Sequence, residues 1–347
     1  MNAGKQVNLS EILRNAPNNL IIQDSLTKAH SVLGKFEKII CSISGGSDSD
    51  IMIDIVTKFR DDIDFVWFDT GVEYQATKEH LLYLEERYGI EIKREKAIKT
   101  IPVSCREYGQ PFLNKHPVSE YIYRLQKHGF DFANGNRSFE ELYREYPRCR
   151  AALRWWCNDF GEGSQYNISR NKGLKEFLIQ NPPTFKVSNK CCQYAKKDIA
   201  NKIIVSGGYD LNIVGIRKYE GGERVRAYKT CFDNNYEKCS KYRPLFWYSN
   251  KDKEDYDRHY DIRHSRCYTE YGLKRTGCVG CPYGRNIEQE IEVLERNEPL
   301  LHKAACNIFR DSYEYTRKYR EFVKSHDSKD EQLEGQMTID EYLETLE

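Results

Sequence analysis

Nowhere in its 347 residues does this chain run eighteen apolar residues together, so no helix of the sequence is built to cross a membrane. The first twenty residues, MNAGKQVNLSEILRNAPNNL, hold Glu11 and no apolar core, which leaves no secretory signal to read; the expectation is a cytoplasmic protein without a membrane partner. Proline is scarce, with 10 residues, while 39% of the chain is hydrophobic and 13% aromatic, a balance that disordered and collagen-like chains do not have. Charge of one sign is lacking too: 54 Lys and Arg face 53 Asp and Glu, so no overall field draws the molecule to nucleic acid, and any polyanion site must be local. What the chain does have in plenty is cysteine. Twelve in a reducing compartment exceed what packing needs and point to metal or redox chemistry for some of them.

The order of apolar and breaker residues predicts a helix over 21–34 that stops at Gly34, then a strand over 36–43. A glycine loop follows, then a helix over 49–59, a strand over 64–69, a helix over 75–88 and a short strand over 90–93. Such alternation is the pattern of an α/β protein with a doubly wound parallel sheet. From about 101 to 188 the alternation fails, and the segment reads as a helical insertion closed by Pro182-Pro183. Residues 189–200 read as a helix, 211–216 as another core strand and 287–325 as charged amphipathic helices; 326–347, with eight acidic residues against one lysine, reads as a solvated tail.

Ser44-Gly45-Gly46-Ser47-Asp48-Ser49 falls between a strand and a helix. Two glycines let the backbone approach a ligand closely, and serine hydroxyls with helix-start amides supply donors for an anion, so the loop is shaped for phosphate. It is neither the Walker pattern nor the dinucleotide G-x-G-x-x-G. Ser206-Gly207-Gly208 looks like a second copy, but a strand follows it, so it reads as a turn.

The loop SGGSDS resembles the PP-loop of the adenine-nucleotide α-hydrolase group, which includes ATP pyrophosphatases and the phosphoadenosine phosphosulfate (PAPS) reductase family. Asp69-Thr70-Gly71 resembles that group's D-T-G segment. Gly215-Ile216-Arg217-Lys218, followed by Arg224 and Arg226, is similar to its phosphate-facing loop, and Pro244-Leu245-Phe246-Trp247 to its P-L-x-x-W segment. The resemblance covers residues 36–285 apart from the insertion. It implies a Rossmann-like doubly wound parallel sheet, adenine nucleotide alpha-hydrolase-like, with a helical insertion and a helical C-terminal region. The implied domains are an N-terminal helical extension (1–34), a nucleotide-binding domain (35–285) and a C-terminal region (286–347). ATP or a related adenylyl nucleotide is then expected on Ser44, Gly45, Gly46, Ser47 and Ser49, with Asp69, Thr70 and Gly71 near the sugar or a metal. Gly215 and Lys218 would face phosphate, and Asp48 and Arg217 would take catalytic parts, with Mg²⁺ as the expected ion. One departure is Ser47, where many members have lysine; Arg217, Lys218, Arg224 or Lys38 would have to supply that charge.

Cys191-Cys192 and Cys278-Val279-Gly280-Cys281 offer four thiolates from two segments, enough for a tetrahedral sulfur site. Adjacent cysteines suit a cubane, which gives each ligand its own iron, better than one zinc ion. The arrangement resembles that of iron–sulfur adenosine phosphosulfate (APS) reductases, including Lys190 and Gly277, and implies a 4Fe–4S cluster with zinc as runner-up. Cys41 reads as packing. Those reductases also use a cysteine in a C-terminal tail, whereas residues 307–347 here contain none; Cys306 lies on a helical pattern, and no motif singles out Cys157, Cys231, Cys239 or Cys267.

Between Arg144 and Lys229 stand 17 Lys and Arg against 8 Asp and Glu, with Arg148, Arg150, Arg154, Trp155, Trp156 and Tyr166 among them. This mixture could neutralise phosphates and stack on bases; alternatively, the arginines serve the nucleotide and the tryptophans pack the insertion. The leading expectation is an ATP pyrophosphatase-type sulfurtransferase acting on nucleic acid or a small acceptor, with a sulfur donor protein as partner. An APS or PAPS reductase is the first alternative. A non-catalytic module that grips nucleic acid or a partner is the second.

Overall fold

The computed structural model describes residues 8–220, 227–234, 239–284 and 286–326. The chain divides into two units: one gathers Met1–Ile101, Cys192–Val279 and Gln289–His302, the other Pro102–Cys191, Gly280–Glu288 and Lys303–Glu347. The second unit thus begins at Pro102, and the residues of the C-terminal helical region are shared between the two.

The first unit opens with helices α1 (Leu9–Arg14) and α2 (Leu20–Leu33). Asn19 starts α2 by accepting the Ile21 and Ile22 amides on its side-chain oxygen, and Gly34 ends it. Then follow β1 (Ile39–Ile43), α3 (Ser47–Thr57), β2 (Asp64–Asp69), α4 (Gln75–Tyr88) and β3 (Ile92–Lys96). Strand β1 begins three residues later than the apolar run suggests, because the Glu37 and Lys38 amides donate to the Asp210 carboxylate at 2.8 and 3.0 Å. Strand β3 also starts late, since Gly89 at φ +61° caps α4 and the Ile90 amide turns back to Glu85 O. The helix over Asp198–Gly207 ends at Gly208, φ +64°, so the second S-G-G is a helix stop. Strand β4 (Leu211–Val214) comes next, then β5 (Phe232–Asp233) and β6 (Ser240–Tyr242), both too short to leave a period in the sequence.

The sheet order is β3-β2-β1-β4-β6-β5, parallel except for the β5 edge. Side chains alternate across it. Ile39, Cys41 and Ile43 of β1, with Phe65, Trp67, Leu211 and Ile213, pack against α2, α3, α4 and the helix Asn250–Tyr260. Ile40 and Val66 face the other way, with Tyr209, Cys239, Ile203 and Ile204. Each fully buried aliphatic side chain contributes about 1.5–3 kcal/mol, and burial on both faces is what a parallel sheet requires. From β1 the chain winds outward to β3 and then returns to β4 on the opposite flank. The loops after β1 and β4 therefore part at the sheet's carboxyl edge, where such folds bind ligands.

The second unit has its own core, in which Phe112, Ile122, Leu125, Leu153, Trp155, Trp156, Phe177 and Tyr319 pack together. Trp155 and Trp156 are completely buried, and the Trp156 indole donates to Gly135 O at 2.7 Å. They are therefore core residues and cannot stack on bases, which corrects that part of the nucleic-acid expectation.

Candidate functional site

Strand β1 delivers Ser44, Gly45 and Gly46 to the start of α3. Gly45 has φ +68°, and a Cβ there would stand 2.6 Å from Thr77 Cγ2, so only glycine fits this turn. Gly46 is the N-cap residue of α3 and offers no side chain to the orphan amides. The loop serines are turned upon the loop itself: Ser49 Oγ accepts the Ser44 amide at 3.0 Å and pairs with Ser44 Oγ at 3.0 Å, and Ser44 Oγ accepts the Gly46 amide at 3.3 Å. These hydroxyls hold the loop's shape, and within the first turn the Ser49 and Asp50 amides donate to Gly46 O at 2.8 and 3.3 Å. The Ser47 amide donates to the Tyr268 hydroxyl at 3.2 Å, which also receives the Thr276 amide at 3.2 Å, so a phenolic oxygen sits at the helix start.

Three charges converge beside it. Asp48, in the first turn of α3, accepts Arg217 Nε at 2.9 Å on one oxygen and Lys253 Nζ at 3.1 Å on the other. Arg217 is 9% exposed and donates a second bond to Asn250 Oδ1 at 3.1 Å. Lys253 Nζ also bonds Ser47 Oγ. One carboxylate between two cations leaves a local positive excess at the start of a helix whose dipole is already positive there, the other acid of that turn, Asp50, being taken up by His80 and His264, an arrangement that favours a polyanion.

Gly215 packs on this turn from β4, its Cβ position 3.4 Å from the Asp48 backbone. Lys218 is drawn aside: its amide donates to Phe246 O at 2.8 Å and its ammonium lies 5.0 Å from the centre of the Trp247 ring. The G-x-R-K and P-L-x-x-W segments thus touch each other. Lys38 is excluded as the missing charge, because it precedes β1 at the sheet edge away from the loop and lies over the Tyr209 ring. Arg224 and Arg226 lie outside the described residues.

After β2, Asp69 accepts the Gly71 amide at 2.9 Å and so closes the D-T-G turn, with Gly71 at φ +85°. Thr70 is buried and donates to Glu73 Oε1 at 2.6 Å, with Cys278 Sγ 3.9 Å away. Burial pushes the Glu73 carboxyl above its ordinary range, with Lys196 pulling the other way. Lys196 is raised above the usual lysine value, first by Cys278 and also by Glu73 and Cys192, while burial pushes the Cys278 thiol up and Lys196 partly offsets it. Cys192 and Cys278 therefore share one cation within the first unit. Cys191 and Cys281 belong to the second unit. Among the described residues no group of three or more His, Cys, Asp or Glu side chains is arranged to hold a metal ion. The donor set thus fits a cluster only in part. Cys41 is a core side chain, Cys267 is buried against Thr77 Oγ1 at 3.7 Å, and Cys306 lies on the helix Pro299–Ile308.

Lys253, Asn250, Tyr268, Thr276 and Lys196 went unread in the sequence. All sit in helices or loops whose local pattern is unremarkable, and only the fold brings them to the loops after β1 and β2. Arg148 and Arg150 of the basic stretch are exposed, whereas Arg154 is engaged with Asp159 at 2.9 Å.

Residues 38–145 match the family model of the phosphoadenosine phosphosulfate reductase domain. The chain is similar to the uncharacterized protein MJ0066 of Methanocaldococcus jannaschii, 24% identical over 283 residues, 81% of this chain and 42% of that protein. It is also similar to adenosine 5'-phosphosulfate reductase 1 of Bacillus subtilis, 27% identical over 82 residues, 23% of this chain and 35% of that one. The chain thus spans well under half the length of either relative. Among solved structures it is similar to phosphoadenylyl-sulfate (PAPS) reductase from Candida auris in a phosphate complex, at 12% identity and a TM-score of 0.41, covering 79% of this chain and 95% of that one. U34-tRNA thiolase NcsA from Methanococcus maripaludis with its 4Fe–4S cluster aligns at 14% identity and a TM-score of 0.37, covering 88% and 81%.

Proposed function

We propose that this chain, whose residues 38–145 match the model of the phosphoadenosine phosphosulfate reductase domain, is an enzyme that binds ATP by its phosphates at the loop after β1 and reacts at the α-phosphate, as an ATP pyrophosphatase-type sulfurtransferase does. The observation that carries the reading is the Asp48 carboxylate flanked by Arg217 and Lys253 at the start of α3. Two cations at the positive end of a helix suit a leaving pyrophosphate, on which charge grows as the bond breaks.

In this mechanism an acceptor oxygen attacks the α-phosphorus, the bond to the α–β bridging oxygen breaks, and pyrophosphate leaves with the electron pair. The adenylated acceptor is then open to a sulfur donor, whose attack expels AMP. The positive end of α3 faces the departing phosphates, and Arg217, fixed by Asp48 and Asn250, keeps its charge beside them. Gly45 and Gly46 allow the backbone to come close enough, and Asp69 keeps the neighbouring turn in shape. Both Asp48 oxygens are engaged, so this carboxylate positions the cations.

Cys191, Cys192, Cys278 and Cys281 enter the proposal as ligands of a 4Fe–4S cluster, on their spacing and on the Lys196 charge shared by Cys192 and Cys278. The acceptor class, nucleic acid or small molecule, is left to product analysis. Reduction of a sulfonucleotide, the activity in the Bacillus relative's name, is the competing outcome. Protein purified without oxygen, with iron and sulfide quantified, should release pyrophosphate and AMP from ATP in the presence of acceptor and donor. Thioredoxin-dependent sulfite from APS or PAPS, without pyrophosphate release, would replace this reading with the reductase one.

A further inference from the structure

We propose that Lys253 is the phosphate-neutralising lysine of this site, supplied in space by a distant helix where the loop itself carries serine. The inference rests on the nucleotide reading above and adds to it the residue that meets the phosphates. Ser47, directly after the two glycines, has no charge to offer. Lys253 is 206 residues away in sequence, yet its Nζ bonds Ser47 Oγ and lies 3.1 Å from Asp48 Oδ1.

Its placement is fixed by the helix that carries it. Ser249 and Asp252 form a capping box at the start of Asn250–Tyr260, with Ser249 Oγ accepting the Asp252 amide at 3.2 Å and Asp252 Oδ2 accepting the Ser249 amide at 2.8 Å. Asp252 is held further by Asn19 at 2.8 Å. Asn250 of the same turn holds Arg217, so one helix start fixes both cations.

The electrostatics argue against a merely structural ion pair. Asp48 is already neutralised by Arg217, and a second cation at the positive end of α3 is unfavourable unless an anion joins it. The Lys253 side chain is 15% exposed, and a lysine ammonium on a flexible stem can exchange one oxygen acceptor for another. When phosphate arrives, Nζ can turn from Ser47 to the ligand while Arg217 keeps Asp48 paired.

The test is titration of the full chain with ATP, inorganic pyrophosphate and adenosine, with thermal melts alongside. Lys253→Met should weaken ATP and pyrophosphate about tenfold or more, the loss of one charge-assisted bond, and leave adenosine within about twofold. In the double variant Lys253→Met with Ser47→Lys, a lysine returns from the loop itself and should recover most of the lost affinity. Unchanged ATP affinity in Lys253→Met overturns the assignment, and so does a loss that the double variant does not recover. Failure of the parent protein to bind ATP or pyrophosphate would instead overturn the nucleotide reading on which it rests.

Discussion

At Gly45 the backbone stands at φ +68°, and any side chain would also meet Thr77 Cγ2 at 2.6 Å. Gly45→Ala therefore carries both a left-handed backbone cost of about 1–2 kcal/mol and a clash. The expected result is a lower melting temperature together with lost nucleotide binding. Gly46 differs. Its φ of −94° suits any residue, but a Cβ would press on the Tyr268 and Thr276 hydroxyls at 3.1 Å and on Ser44 Oγ at 3.3 Å, which must give way. Gly46→Val should fold with a lowered melting temperature and lose ATP, because the added methyls crowd these hydroxyls and occupy the helix start. A variant that melts like the parent and binds ATP equally well would show that phosphate does not approach there. These glycines were legible in the sequence because a tight turn between strand and helix leaves a local signature. Lys253 was not, since its partner Ser47 is remote in the chain and a lysine in a charged helix such as Asn250–Tyr260 carries no mark of its destination.

Helix α3 was legible as an element but not in its surroundings. Apolar spacing marks a helix there, yet nine of its eleven residues are buried, including Asp50 and Asp54. Buried acids need partners, and these come from elsewhere: Tyr256 donates to Asp54 at 2.7 Å, and Asp50 lies between His80 Nε2 at 2.9 Å and His264 Nδ1 at 2.7 Å. His264 reaches on to Asp257 at 2.9 Å, whose other oxygen is buried without a hydrogen-bond partner. Burial works against charge on His264, but Asp257 and Asp50 outweigh it and raise its pKa to about 9. Burial likewise opposes charge on Asp50, and the bonds from His264 and His80 bring its carboxyl below the usual range. A raised histidine stabilises fully below its ordinary value of 6.5 and loses that contribution as pH rises through about 9. The lowered Asp50 acts oppositely: its contribution is present above its ordinary value of 3.8 and fades as pH falls below it. Urea midpoints of the parent should therefore decline between pH 6.5 and 9, and His264→Gln should flatten that decline while lowering stability at pH 6. An equal alkaline slope in both proteins would mean that His264 is not charged in the folded state.

For the molecule as a whole, the strand–helix alternation already outlined a doubly wound sheet, and its failure after residue 101 opened the expected insertion. The return of residues 303–326 to the unit of that insertion was not legible, because Tyr315 and Tyr319 reach the second core over long sequence distances. Two separate cores make a thermodynamic prediction. Trp156→Ala removes a fully buried ring and its bond to Gly135, at a cost of about 3–5 kcal/mol, all within the second core. Ile53→Ala removes a fully buried side chain of α3 within the first, at about 2–5 kcal/mol. ATP at a hundred times its Kd adds about 2.7 kcal/mol to whatever folded unit binds it. Calorimetry of the full chain should resolve two transitions, one lowered by Trp156→Ala and the other by Ile53→Ala, with ATP raising the second of these and leaving the first in place. A single transition, lowered alike by both variants and raised as a whole by ATP, would show that the two cores unfold as one cooperative structure.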